Sequence, residues 1–171
     1  GFAKYWEVPI QDSDAAGGRW VRAKGIELLE KVFKNNNKVN LIAEDLGEAS
    51  ADAAVLRNKY GIPGMNVLQF LFYDGDSIDN IEENTVLYTG THDNDTSIGW
   101  FESLNNKLSS DEINDLKNIL NSDSKGMNWS MIEYSFQARA KTVIVPVQDI
   151  LGLGSDSRMN TPGTISENNW S

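Results

Sequence analysis

With 171 residues, 40% of them apolar and 23% charged, the chain has the length and composition of one globular domain rather than a disordered segment. The absence of cysteine excludes disulfides and thiol chemistry and suits a reducing cytoplasm, and no apolar run reaches the roughly 18 residues of a membrane span. Fifteen basic against 25 acidic residues give a net charge of −10, which repels nucleic acid and anionic membranes and favours a neutral partner.

The opening "GFAKYWEVPI" has neither the basic start nor the apolar stretch of a signal peptide, and it lacks an initiator Met, so a longer parent chain is expected. The first periodic segment is "VRAKGIELLEKVFK", with Ile26, Leu29 and Phe33 on one helical face before "NNNK" breaks the pattern. "VNLIAED" reads as a short buried strand. "SADAAVLRNKYG" reads as a helix bounded by a candidate cap, Ser50, and by Gly61. "MNVLQFLF" is the next expected strand, "YDGDSIDNIEEN" a polar loop and "TVLYTG" a third strand. Ser109 and Glu112 have capping-box spacing ahead of Ile113, Leu116 and Leu120. Asn128 is the candidate cap of a further helix with Trp129, Ile132 and Phe136 on one face. "KTVIVPVQD" is the last expected strand. "GLGS" at 152–155 lacks the Lys of a phosphate-binding loop and reads as a turn.

Apolar strands separated mostly by helices predict a parallel α/β sheet covered on both faces. Four such strands are too few for a closed barrel, which needs about 250 residues. In this architecture ligands bind at the carboxyl ends of the strands. The expected ends carry Glu44 and Asp45, Asp74, His92 and Asp93, and Gln148 and Asp149; the loop after the last holds Arg158 and Asn160. Any one of these acids alone is as well explained by a turn or a helix cap, and only their repetition points to a carboxylate-lined site. His92 is the single histidine. Zinc hydrolysis and Ser-His or Cys-His catalysis are therefore poorly served. A magnesium site on carboxylates remains open, as does glycosidic chemistry, in which one carboxylate acts as acid/base and another attacks or stabilises the oxocarbenium-like centre. The five Trp and five Tyr suit sugar stacking, although most such rings serve a core.

The motifs "IAEDLG" (42–47), "GIPGMNVLQF" (61–70), "YTGTHDND" (88–95) and "VPVQDILGLGSDSRMNTPGT" (145–164) occur in one order, with "YWEVP" and "GRWV" ahead of them. Together they resemble the amylomaltase, or 4-α-glucanotransferase, family of the α-amylase superfamily, along essentially the whole chain. The resemblance implies a (β/α)8 TIM barrel, of which residues 1–171 are the C-terminal half, from just after strand 4 to just after strand 8. It implies transfer of α-1,4-glucan segments between maltooligosaccharides, or to glucose, with retention of configuration. It needs no metal or organic cofactor, and no nucleic acid or membrane. By motif, Glu44 resembles the general acid/base and Asp93 the carboxylate that grips the reacting ring. His92, Asp74 and Asn160 match positions that contact substrate.

The family's nucleophilic Asp lies in a segment like "RIDHFRGF", so the resemblance places it just before Gly1. The chain alone is then expected to be inactive, and its unpaired sheet edges to promote self-association. Departures, such as "EASAD" after "AEDLG", fall at helix starts and loops. Three other readings stay open: a hydrolase using the same carboxylates with water, a non-catalytic glucan binder, and a magnesium-dependent phosphotransfer domain.

Overall fold

The computed structural model describes residues 1–35, 39–46, 50–122 and 126–170. The chain divides into two units, Gly1–Met65 and Asn66–Ser171.

The first unit opens with an antiparallel hairpin, β1 (Lys4–Glu7) and β2 (Arg19–Arg22), in the register Lys4↔Arg22 to Glu7↔Arg19. Neither strand was expected. Each is four residues long, too short to show an alternation, and the pairing is made by cross-strand contacts instead. Trp6 meets Trp20 edge-on at 5.3 Å, and Glu7 Oε2 pairs with Arg19 at 2.7 Å. Helix α1 (Gly25–Asn35) starts later than the pattern suggested because Val21 and Arg22 belong to β2. Its Leu29 is buried and its Phe33 stacks on Tyr60 at 5.3 Å, but Ile26 is exposed. Helix α2 (Ser50–Lys59) begins with Ser50 as its first helical residue rather than its cap, and Gly61 follows it in the left-handed region.

Residues 39–46 form no strand. One backbone bond, Ala43 N–H to Pro63 C=O at 2.9 Å, ties the segment, and Pro63 has no N–H to return it. Among the described residues the apolar core of this unit centres on Leu29, Leu56 and Ile62.

The three-stranded sheet has the order β3-β4-β5. Its strands are β3 (Gly64–Val67), β4 (Thr85–Tyr88) and β5 (Thr142–Ile144), with β4 and β5 parallel in the register Val86↔Thr142 to Tyr88↔Ile144. Two expected strands are split. After β3 the run continues as helix α3 (Leu68–Asp74), and after β5 Pro146 caps helix α7 (Val147–Leu151). A short apolar run carries no period that tells a buried strand from a buried helix. The "polar loop" contains a 3-10 turn at Ile78–Asn80, which tucks Ile78 inward.

Helices α4 (Ser97–Leu104), α5 (Ser110–Leu120) and α6 (Met127–Ser135) complete the unit. The Ser109–Glu112 capping box is present in full, and Ile113, Leu116 and Leu120 face inward. Helix α6 departs from expectation: Gly126, not Asn128, is its cap. Its buried residues are Asn128, Ser130, Met131, Ile132 and Ser135, while Trp129 and Phe136 lie exposed. Of the expected stripe only Ile132 is buried, because three of the five buried residues are polar and hydropathy does not mark them. The core joins Leu68, Leu71, Leu87, Trp100, Leu104 and Met131 to the α5 face. The α/β class and the parallel β4–β5 pair stand as read; the count of four strands does not.

Candidate functional site

The segment after β4, "TGTHDND", leaves the sheet as two interlocked turns. Thr91 donates from both its N–H and its hydroxyl to Asn94 Oδ1, at 2.9 and 2.7 Å, and Asp93 N–H reaches back to Thr91 Oγ1 at 3.3 Å. Short polar side chains that bond their own backbone favour such turns over a continued strand. The turn puts His92 and Asp93 side by side at the surface, each side chain about half exposed (49%).

Three further contacts build a cluster around Asp93. Asn160 Nδ2 donates to Asp93 Oδ1 at 2.6 Å, and Arg158 Nη2 donates to the Asp93 carbonyl at 2.5 Å. The same Arg158 binds the Asn160 carbonyl through Nε at 2.8 Å, so one guanidinium fixes both backbones. His92 Nε2 lies 3.5 Å from Asp93 Oδ1, too far for a strong hydrogen bond, and its ring sits 5.1 Å from that of Trp170. Asp93 Oδ2 has no protein donor among the described residues. The cluster therefore offers an open carboxylate oxygen beside a half-exposed imidazole, groups that together accept from and donate to hydroxyls.

A second set of bonds anchors this turn from beneath. Asp149, 1% exposed, accepts from Thr89 Oγ1 at 2.6 Å and from Ser97 N–H at 2.7 Å, while Asn128 Nδ2 donates to its carbonyl at 2.8 Å. Asp149 was expected to line the site. It is instead a buried joint between the end of β4, the start of α4 and α7, because burial with two donors uses both of its oxygens. Asp95 is held similarly, by its own turn to Thr96 N–H and by Ser155 Oγ at 2.8 Å. A Cβ on Gly99 would collide with Ser155 Oγ and the Asp95 carboxylate, so a side chain there would displace the bond between them.

Of the residues expected from sequence, His92, Asp93 and Asn160 are brought together. Asp74 is not part of that group: it is exposed at the last position of α3, not at a strand end, and no hydrogen bond joins it to the cluster. Glu44 belongs to the first unit, where it is exposed and its carboxylate has no partner among the described residues. Its neighbour Asp45 does the anchoring, accepting from Arg57 Nε at 2.7 Å and from Met65 N–H at 3.0 Å. A cavity of about 460 Å³ in the same unit, lined by Phe2, Trp20, Arg22, Ile26, Val55 and Leu56 among others, includes none of the expected site residues. Arg158's double bond and Trp170's place beside His92 were not expected, since residues 65 and 78 positions away carry no local signal. Among the described residues no three His, Asp or Glu side chains come together to hold a metal ion, and no helix is long and apolar enough to cross a membrane.

The turn beyond the parallel sheet gives this α/β protein a polar surface cluster of His92, Asp93, Arg158 and Asn160. Comparison with known proteins makes this specific: the family model described as 4-alpha-glucanotransferase matches residues 1–171, and the chain belongs to that family. Among its relatives are the chloroplastic/amyloplastic 4-alpha-glucanotransferase DPE1 of Arabidopsis thaliana and the 4-alpha-glucanotransferase of Thermus thermophilus. The first is 43% identical over 99% of this chain, the second 38% over 99%. The chain spans 30% and 35% of the lengths of these two relatives. Among solved structures, the amylomaltase from Streptococcus agalactiae in complex with acarbose superposes with a TM-score of 0.88. That pair is 34% identical, covering 99% of this chain and 34% of the other. The amylomaltase from Corynebacterium glutamicum, 17% identical, shares the fold with a TM-score of 0.73.

Proposed function

We propose that this chain is the C-terminal half of a (β/α)8 barrel in a longer 4-α-glucanotransferase, which moves α-1,4-glucan segments between maltooligosaccharides or onto glucose. The observation that carries the reading is the Asp93 carboxylate, clamped by Asn160 through one oxygen and open at the other beside His92. An open oxygen and an imidazole at one place suit two neighbouring hydroxyls of one sugar ring. The relative solved with acarbose, a maltooligosaccharide analogue, supports a glucan as the ligand. The lack of cysteine keeps the cytoplasm as the proposed compartment.

The chemistry runs as a double displacement. Glu44, exposed and without a partner among the described residues, gives its proton to the leaving glucosyl oxygen as an aspartate from another part of the protein attacks the anomeric carbon. Asp93 and His92 hold the ring hydroxyls as charge develops at that carbon. Glu44 then takes the proton from the 4-hydroxyl of the acceptor, whose oxygen attacks from the face that the first leaving group vacated and displaces the aspartate opposite, so that configuration is retained. Asp74 contacts substrate from the end of α3. A retaining pair of carboxyls stands about 5–5.5 Å apart, so the nucleophile must approach Glu44 that closely.

The test is Glu44→Gln in the full-length protein. Gln keeps the shape and removes the proton, so glucose release from maltotriose should fall by at least about two orders of magnitude with unchanged thermal stability. Near-normal release would end the acid/base assignment.

A further inference from the structure

Trp170 is unusual on two counts. It is a bulky residue at φ +64°, a conformation that costs an L side chain strain and that persists only where the surroundings impose it. The residue is also 65% exposed rather than packed in a core, and among the described residues its one aromatic partner is the ring of His92, at 5.1 Å and tilted by 37°. That distance and tilt fall within the range of favourable aromatic pairs. The backbone explains how it gets there. Trp170 N–H bonds the Met159 carbonyl at 2.6 Å, closing a loop whose interior is stapled by Asn169, which accepts from Thr161 N–H and donates to the Thr164 carbonyl. The residue after Met159 is Asn160, which clamps Asp93. One loop thus delivers a donor to Asp93 and a ring to His92.

We infer that Trp170 is a positioning residue for His92, its indole fixing the imidazole so that Nε2 stays beside Asp93 when a sugar is gripped. The inference rests on the glucan-gripping role given to His92 and Asp93 above. His92 has no hydrogen bond to fix its ring among the described residues, and its contact with Asp93 is a loose 3.5 Å. Among the described residues the indole is the one ring that lies against it.

The experiment uses the full-length protein with Trp170→Ala, Trp170→Phe, His92→Gln and the His92→Gln/Trp170→Ala double variant. The readouts are kcat and KM for maltotriose disproportionation, thermal stability, and the imidazole C–H resonances of His92, assigned by their loss in His92→Gln. Trp170→Ala should lower kcat by about tenfold or more with little change in KM, shift the His92 resonances out of the indole ring current, and leave the melting temperature near that of the wild type. Trp170→Phe should restore most of kcat, and the double variant should be no slower than His92→Gln alone. Unchanged kcat in Trp170→Ala, losses that simply add in the double variant, or Phe as damaging as Ala would each overturn the inference. A wild-type protein that transfers no glucan would defeat the proposed function instead, and the ring-current shift, which needs no turnover, would still judge the Trp170–His92 contact.

Discussion

At Asp93 and Asp149 the same side chain does opposite work, and burial decides which. Asp93 is half exposed with one oxygen free, whereas Asp149 is 1% exposed with both oxygens occupied. Replacing Asp93 by Asn should therefore cut glucan transfer by orders of magnitude while leaving the melting temperature of the full-length protein within a degree or two. Thr89→Val should do the reverse. It removes the hydroxyl that donates to Asp149 Oδ2 at 2.6 Å and leaves a buried carboxylate short of a donor, at a cost of about 2 kcal/mol in denaturant unfolding. Loss of activity without loss of stability in Thr89→Val would place Asp149 in the chemistry and contradict its role as a joint. That His92, Asp93 and Asn160 belong to one cluster was legible because one resemblance covers both motifs that hold them. The division of labour between Asp93 and Asp149 was not, since their local sequences both read as an acid after an apolar run.

Among the elements, α5 shows local sequence prevailing. The Ser109 hydroxyl accepts from Glu112 N–H, and the Glu112 carboxylate accepts from Ser109 N–H at 2.8 Å and from its hydroxyl at 2.7 Å. The bond from the Ser109 N–H, and then that from its hydroxyl, hold the Glu112 carboxyl below its ordinary value. A folded-state pKa below the unfolded one stabilises above the unfolded value and loses that stabilisation as pH falls through the folded one. Any acid sensitivity from this cap thus appears below about pH 4.5, and Glu112→Gln should flatten that part of the stability curve. Ser109→Ala should cost about 1 kcal/mol at neutral pH, read as a lower unfolding midpoint. Helices α3, α6 and α7 show the opposite case. Their apolar runs or stripes misled because a short buried helix and a buried strand share a composition, and because α6 buries Asn128 to reach the Asp149 carbonyl and Ser135 to bond its own Ile132 carbonyl. Gly152, at φ +67°, ends α7 where a Cβ would stand 3.2 Å from Asn128 Nδ2, which is why the "GLGS" turn needs glycine.

On the scale of the whole molecule, the chain leaves much apolar surface open. Phe2, Trp6, Trp20 and Val55 are exposed in the first unit, and Tyr73, Trp129, Phe136 and Val147 in the second. Large apolar groups left exposed in number mark surfaces that are covered in the intact protein or that associate. Expressed alone, residues 1–171 should bind an apolar dye and elute from a sizing column as oligomers, with no maltotriose disproportionation. A sharp two-state melt from a monomer would contradict that expectation.

Sequence alone determined the α/β class, the end of α2, the start of α5, strand β4 and the family, because each rests on local signals or on motifs read along the chain: a glycine stop, a capping box, a β-branched run, ordered blocks of identity. Tertiary structure alone decided that Trp6 pairs with Trp20, that "VNLIAED" stays outside the sheet, that Asp149 is a joint and that Trp170 reaches His92. Each of those outcomes depends on partners far apart along the chain. The free energy of such a contact is set by burial and geometry at the meeting point, to which neither stretch of sequence by itself refers.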